Sequence, residues 1–298
     1  MKKILIINKQ KAHLPEIKAY QKYFNDKSDY FFYDSAELKD FNENDFDAVW
    51  CFMGVDKQER KIPTVHEYAS LSAGKFPKLK NLIKKKINTK PNLRLFLNES
   101  VKDGFGFADN VAYIFRDMGV DESFFLVNEK KQYDFVYIGE INFDRKMHKL
   151  LRKFANELKQ YKLLLIGNCA DDIFAEFKDE PNIYFEGKIP YYEIPKLASL
   201  AEFGINYIPD IYPYNLQTST KILEYSAMGL KTISISYKWI NEFEKKHEGR
   251  FLKVREDLSD FTYERIRDFE YKSADVKSLT WDNIIKNCGL EEALKKIL

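Results

Sequence analysis

FGINYIPDIYPYNLQTSTKILEYSAMGLKTISIS, residues Phe203–Ser236, is the stretch on which the fold turns. An apolar strand, a polar aromatic loop, a short helix, a glycine stop and a β-branched strand follow one another, the βαβ rhythm of an open parallel sheet. Thr218, Ser219 and Thr220 stand where the helix should begin and Gly229 where it should end. Such a helix start presents unpaired N–H groups and a partial positive charge, which suit an anion such as a diphosphate. Lys221 would add a full charge there. Glu224 is the helix's one carboxylate, and a carboxylate accepts two hydrogen bonds from vicinal hydroxyls such as those of a ribose. The same residue types also serve as ordinary caps and as a solvated first-turn acid, so both readings stand at this point.

Within that stretch, KILEYSAMGLKTIS (Lys221–Ser234) resembles the K-[IL]-L-E-Y-x-A-x-G-x-x-x-I signature in the nucleotide-sugar half of GT-B glycosyltransferases, above all the retaining glycosyltransferase family 4. Further segments agree in order. YIGEINFDRKMHKLLRKFA (Tyr137–Ala155) is similar to the family's first strand–loop–helix of the donor domain, and KLLLIG (Lys162–Gly167) to its second strand. NIYFEGKIPYYEIPKLASLAEFGINYIP (Asn182–Pro209) resembles the strand, helix and strand before the nucleotide site. SLTWDNIIKN (Ser278–Asn287) resembles the Trp-containing segment after which such chains return to the first domain. The likeness spans residues 134–285 and is weak before them.

The resemblance implies an α/β protein of GT-B fold, two Rossmann-like domains facing each other across a cleft. It would move a sugar from a nucleotide-diphosphate sugar to an acceptor hydroxyl with retention, as a hexosyltransferase. It implies that Glu224 holds the ribose, that Arg145 and Lys146 grip the leaving diphosphate beside Gly139, and that Ser219, Thr220 and Lys221 complete the donor cradle. A His of the first domain faces the donor sugar in this group, which nominates His66. Glu67 would orient the acceptor, or else pair with a lysine; His66 would otherwise be a structural histidine. No cofactor and no metal are expected, since no D-x-D motif stands on a strand end and no His/Cys ligand cluster is found. Two departures stand out. The family's earlier glutamate, eight positions before Glu224, is replaced by Leu216, and Gly139 is followed by Glu140 rather than by a base.

Two other classes stay open. A sugar-nucleotide epimerase or hydrolase would use the same cradle with an acid/base set drawn from Asp103, Asp109 and Asp210. A non-catalytic partner subunit with a degenerate donor domain would explain Leu216. Tyr207, Tyr212 and Tyr214 are candidates to stack on a base or sugar.

Length and charge are consistent with these readings. The 298 residues suffice for two α/β domains. We read residues 1–130 as an N-terminal acceptor domain, 131–275 as the donor domain and 276–298 as returning helices, with the boundary in Asp121–Gln132. With 48 basic against 46 acidic side chains, no global field argues for nucleic acid. MKKILIINKQ turns polar too soon for a secretory signal, and no apolar run reaches the roughly 18–20 residues of a membrane span. A cytoplasmic protein is expected, with three thiols, Cys51, Cys169 and Cys288, buried in a reducing compartment. The abundance of Lys, Ile, Asn, Phe and Tyr suits an AT-rich bacterial genome, where surface polysaccharide or glycan synthesis is a natural setting.

The first half reads as strands at Lys3–Ile7, Tyr30–Tyr33, Ala48–Phe52 and Leu93–Leu97, a helix at Pro15–Phe24, and another from Phe107 to Met118 stopped by Gly119. Within IPTVHEYASLSAGKFPKLKNLIKKKINTK (Ile62–Lys90), helical spacing puts Phe76, Leu79, Ile83 and Ile87 on one face between lysines of Lys75–Lys86. That stripe would bring the protein to an anionic inner membrane face and a lipid-linked acceptor, or be the solvated side of a core helix.

Overall fold

The computed structural model describes residues 1–10, 14–26, 28–128 and 130–298. The chain forms two compact units: Met1–Gly119 with Leu216–Thr218 and Leu279–Leu298, and Val120–Asn215 with Ser219–Ser278.

In the first unit β1 (Lys2–Ile7) leads through α1 (Pro15–Phe24) to β2 (Tyr30–Asp34), then to β3 (Ala48–Phe52) and β4 (Thr64–Tyr68). The chain continues through α2 (Pro77–Ile87), β5 (Leu93–Phe96) and α3 (Glu99–Phe105) to β6 (Ala112–Phe115). The strands lie in the order β2-β1-β3-β4-β5-β6, all parallel. Parallel strands covered on both faces become near-continuous apolar runs, and Ile4, Leu5, Ile6, Val49 and Trp50 are buried accordingly.

The second unit repeats the scheme. It runs through β7 (Tyr133–Ile138), α4 (Met147–Asn156), β8 (Leu163–Ile166), α5 (Asp171–Phe177), β9 (Ile183–Gly187) and α6 (Ile194–Ala198). Then come β10 (Ala201–Asn206), α7 (Thr220–Ala227), β11 (Lys231–Ile235), α8 (Lys238–Lys246), β12 (Leu252–Val254) and α9 (Tyr263–Asp268). Strand order is β12-β11-β10-β7-β8-β9. The chain therefore leaves β7 in one direction and resumes at β10 in the other, which makes the β7/β10 seam the switch point where such sheets bind ligands beyond their strand ends. The expected stripe of α4, Met147, Leu150, Leu151 and Phe154, is wholly buried. Two last helices, α10 (Trp281–Asn287) and α11 (Leu290–Ile297), belong to the first unit.

At the seam a glycine sets the spacing. A Cβ on Gly204 of β10 would lie 2.4 Å from Cγ of Tyr225, so only glycine lets α7 settle this close to the strand. The Tyr225 hydroxyl then accepts the Ile138 N–H at 3.1 Å and donates to the Ile205 carbonyl at 3.3 Å. One side chain on α7 thus ties β7 to β10.

Three expectations need correction. The helix expected over Phe107–Met118 is the edge strand β6. α3 ends earlier, at Gly106 with φ 57°, and the aromatic and β-branched residues Tyr113, Ile114 and Phe115 pair in parallel with β5. His66 and Glu67 do not lie in an open acceptor segment. They are interior positions of β4, 0% and 1% exposed. Of the three thiols, which are all free, only Cys51 is buried; Cys169 and Cys288 are half-buried. Among the described residues no helix is long and apolar enough to cross a membrane.

Glu67 belongs to a buried charge cluster. Its carboxylate accepts Trp50 Nε1 at 2.8 Å, the Tyr20 hydroxyl at 3.1 Å and the guanidinium of Arg116, which also reaches Glu16 at 3.3 Å. Arg116 lies 5.4 Å from the Trp281 ring centre, so α10 closes the cluster. Breaking a buried ion pair by deleting one partner strands the other charge, at about 3–5 kcal/mol. Arg116→Met should therefore destabilise the protein by about that much in urea unfolding; a loss below about 1 kcal/mol, the scale of an exposed pair, would show that this cluster is not structural.

Candidate functional site

The site is built where β7 stops. Gly139 follows the strand at φ 132°, a conformation open to glycine, and its N–H donates to Ile166 at 2.8 Å. A Cβ on Gly167, the corresponding residue after β8, would lie 2.1 Å from the Gly139 carbonyl oxygen. The two glycines thus let adjacent strand ends turn against each other and keep the space above β7 free of side chains.

Two cations enter that space. A Cβ placed on Gly139 would lie 3.2 Å from Cε of Lys221 and 3.6 Å from Nη1 of Arg145. Tyr137 stands beneath both: its ring centre is 5.1 Å from the Lys221 ammonium, and its hydroxyl, beside the Arg145 guanidinium, donates to the Glu140 carbonyl at 3.2 Å. Arg145 is aimed by its own loop, because its N–H is held by the Asn142 side chain at 3.0 Å. Lys221 has no hydrogen-bond partner among the described residues and is only 7% exposed. Burial, and then repulsion by Arg145, push its pKa down to about 7 against the nearby Glu224.

α7 carries the rest. Its start at Ser219 is not capped by that side chain. The Ser219 hydroxyl instead donates to Asn206 at 2.9 Å, and Asn206 donates on to Ser234 at 2.9 Å and Tyr237 at 3.1 Å. The cap expected of Ser219 is lost because the buried amide at the end of β10 needs a donor more than the helix end does. The first-turn N–H groups at Thr220 and Lys221 stay directed out of the helix end. One turn on, Glu224 is 6% exposed and accepts the Tyr191 hydroxyl at 3.1 Å. Burial lifts its carboxyl to about 7, opposed by that hydrogen bond and by Lys221.

Gly139, Arg145, Thr220, Lys221 and Glu224 are thus brought together at the switch point, with Ser219 behind them. Lys146 is not: it takes a left-handed conformation at φ 56°, and its ammonium pairs with Glu256. The alternation of direction along the turn sends Arg145 inward and Lys146 away. His66 is engaged within the first unit. Its Nε2 meets Asp56 at 3.2 Å, Asp56 is held by Arg60 at 2.8 Å, and Nδ1 is buried without a partner among the described residues. Burial lowers its pKa, and Asp56 offsets this only in part. The ring is wholly buried against Asp56. Tyr137, Tyr191 and Asn206 are site residues that the sequence reading passed over. The tyrosine two residues before the strand-end glycine was the available signal, but it is lost among 19 tyrosines. Among the described residues no group of three or more His, Cys, Asp or Glu is placed to hold a metal ion.

Comparison with solved structures finds likenesses that run along the whole chain. Anabaena Alr3699/HepE in complex with UDP-glucose aligns with a TM-score of 0.66 at 12% identity, covering 100% of this chain and 98% of that one. AviGT4, a glycosyltransferase involved in Avilamycin A biosynthesis, aligns at 0.62 and 11% over 100% and 98%. Sucrose-phosphate synthase (tll1590) from Thermosynechococcus elongatus aligns at 0.65 and 11% over 100% and 95%. The chain has the GT-B fold. No protein-family model and no curated protein matches it, and at these identities the GT-B likeness extends to the fold alone.

The buried ammonium gives a stability signature. Lys221 titrates near 7 folded and near its ordinary 10.5 unfolded, so between those values the unfolded chain binds the extra proton and stability rises with pH. Relative to Lys221→Met, the wild-type protein should gain up to about 1.4 kcal/mol per pH unit from pH 7 towards 10. Urea unfolding of both at matched pH measures it. Parallel pH curves would mean that Lys221 is not desolvated.

Proposed function

We propose that this chain is a retaining glycosyltransferase that moves a hexose from a nucleotide-diphosphate sugar to the hydroxyl of a glycan or lipid-linked acceptor. The observation that carries the proposal is the convergence of Arg145 and the unpartnered Lys221 over Gly139, one helical turn from Glu224. Two cations and a helix start in a water-poor niche suit a diphosphate, above all when it departs and its charge grows. A buried carboxylate one turn away suits the two ribose hydroxyls, which would replace the Tyr191 hydroxyl now bound to it. The GT-B fold of HepE, whose structures contain UDP and UDP-glucose, supports the same reading.

In this reading the protein's part in the reaction is electrostatic and positional. Arg145, Lys221 and the N–H groups of Thr220 and Lys221 hold the leaving diphosphate, and Glu224 fixes the nucleoside. The pair of cations serves without a divalent ion, so transfer should persist in EDTA. His66, Glu67 and Lys146, engaged elsewhere, take no part. Leu216 in place of the family glutamate leaves the donor sugar to be held by other groups.

Calorimetry against UDP, GDP, dTDP and CMP and their sugars tests the proposal, followed by transfer assays with the anomer of the product read by NMR. Glu224→Ala should weaken the bound nucleotide by about 1.5–3 kcal/mol, the scale of a lost charged hydrogen-bond partner. Unchanged affinity in the folded variant would remove Glu224 from the site. Binding of none of the nucleotides would reject the reading, and binding without transfer or slow hydrolysis would favour a non-catalytic subunit.

Affinity for a sugar nucleotide should peak near neutrality. Below about 7 the free protein holds Glu224 protonated, and above about 7 it holds Lys221 neutral. Lys221→Arg, charged throughout, should flatten the alkaline limb. An alkaline limb unchanged in that variant would assign the titration to another group.

A further inference from the structure

We infer that α2 docks the protein onto an anionic lipid surface through an apolar face that the fold turns outward. An ordinary surface helix buries its apolar stripe. α2 does the reverse. Its one buried residue is Asn81, 1% exposed, whose side-chain oxygen accepts the Ser72 N–H at 2.9 Å. Lys84 and Lys85 are the half-buried neighbours on that inner side. Leu79, Leu82, Ile83 and Ile87 are 53%, 47%, 46% and 36% exposed. Phe76, just before the helix, is 75% exposed at φ 54°, a backbone conformation that bulky side chains rarely adopt. The spacing of residues 79, 83 and 87, with 82 alongside, makes these one contiguous outward stripe.

The charge around the stripe selects its occupant. Lys75, Lys78, Lys80, Lys84, Lys85 and Lys86 fall between residues 75 and 87, with no Asp or Glu among them. Lys80 and Lys85 spend hydrogen bonds on main-chain carbonyls, those of Ala73 at 3.0 Å and of Gly106, so their charge is not cancelled by a carboxylate there. A second copy of the chain meeting this face across a two-fold axis would oppose like charges. A nucleic acid would use the lysines and leave the apolar stripe in water. An anionic bilayer uses both: the apolar side chains enter the headgroup boundary, and the long lysine stems reach back to the lipid phosphates. This inference does not depend on what the second unit binds.

Co-sedimentation of the full chain with phosphatidylcholine vesicles, with and without phosphatidylglycerol, tests it. Binding should require phosphatidylglycerol and weaken with salt. The double variant Leu79→Ser/Ile83→Ser should bind about tenfold or more weakly, because the insertion term is lost. Lys75→Gln and Lys86→Gln should each cost roughly fivefold. These side chains are exposed, so circular dichroism should show the fold retained. Independently, Phe76→Trp should shift its fluorescence to the blue on the anionic vesicles. Absence of binding, binding that the Leu79/Ile83 variant leaves unchanged, or a solution dimer that this variant dissociates would overturn the assignment.

Discussion

A lysine side chain largely taken out of water, its ammonium without a hydrogen-bond partner among the described residues, is the constraint around which the second unit is organised. Burial alone makes Lys221 expensive, and Arg145 beside it makes it more so. Such a charge persists only where the surrounding packing holds it, and here the packing is specific. Gly204 lets Tyr225 close on β10, Tyr225 ties β7 to β10, and Asn206 fastens Ser219 to β11 and the start of α8. The helix start is thereby immobilised from below. Its open side receives the ammonium, the guanidinium and the carboxylate. Cations already positioned there need no rearrangement to receive an anionic ligand, which is how preorganised electrostatic sites work.

The first unit buries charge too, but to the opposite end. Arg116 is shared between Glu16 and Glu67, and Trp50 and Tyr20 donate to Glu67 as well. Asp56 is divided between His66 and Arg60. In both clusters an acidic group meets a basic one directly. Buried ionisable residues therefore sort by pairing: carboxylates and cations joined directly in the first unit, two cations side by side at the switch point of the second.

α2 shows a third use of the same lysine-rich vocabulary. A polar residue, Asn81, anchors it to the unit, while leucine and isoleucine face outward. Amphipathic periodicity locates the apolar stripe of a helix but carries no information on which side the protein lies.

Much was legible in the primary structure. The βαβ rhythm, the helix start at Ser219–Thr220 with its stop at Gly229, and the stripe of α4 depend on interactions within one turn or one strand, which local residue pattern controls. The α/β class followed from those local signals in series, and the GT-B fold from the resemblance of the quoted segments. Tertiary structure alone decided which charged residues share a space. Arg145 and Lys146 are adjacent and chemically alike, yet a left-handed turn at Lys146 sends one to Lys221 and the other to Glu256. β4 and β6 escaped the reading for related reasons. The buried His66 and Glu67 look like surface chemistry until Asp56 and Arg116 are brought to them, and an edge strand with exposed aromatics lacks a clean period. Pairing between residues distant along the chain fixes the desolvation, and so the pKa, of each group. Neighbours in sequence specify helices and strands; neighbours in space determine whether a charge is structural or free to bind.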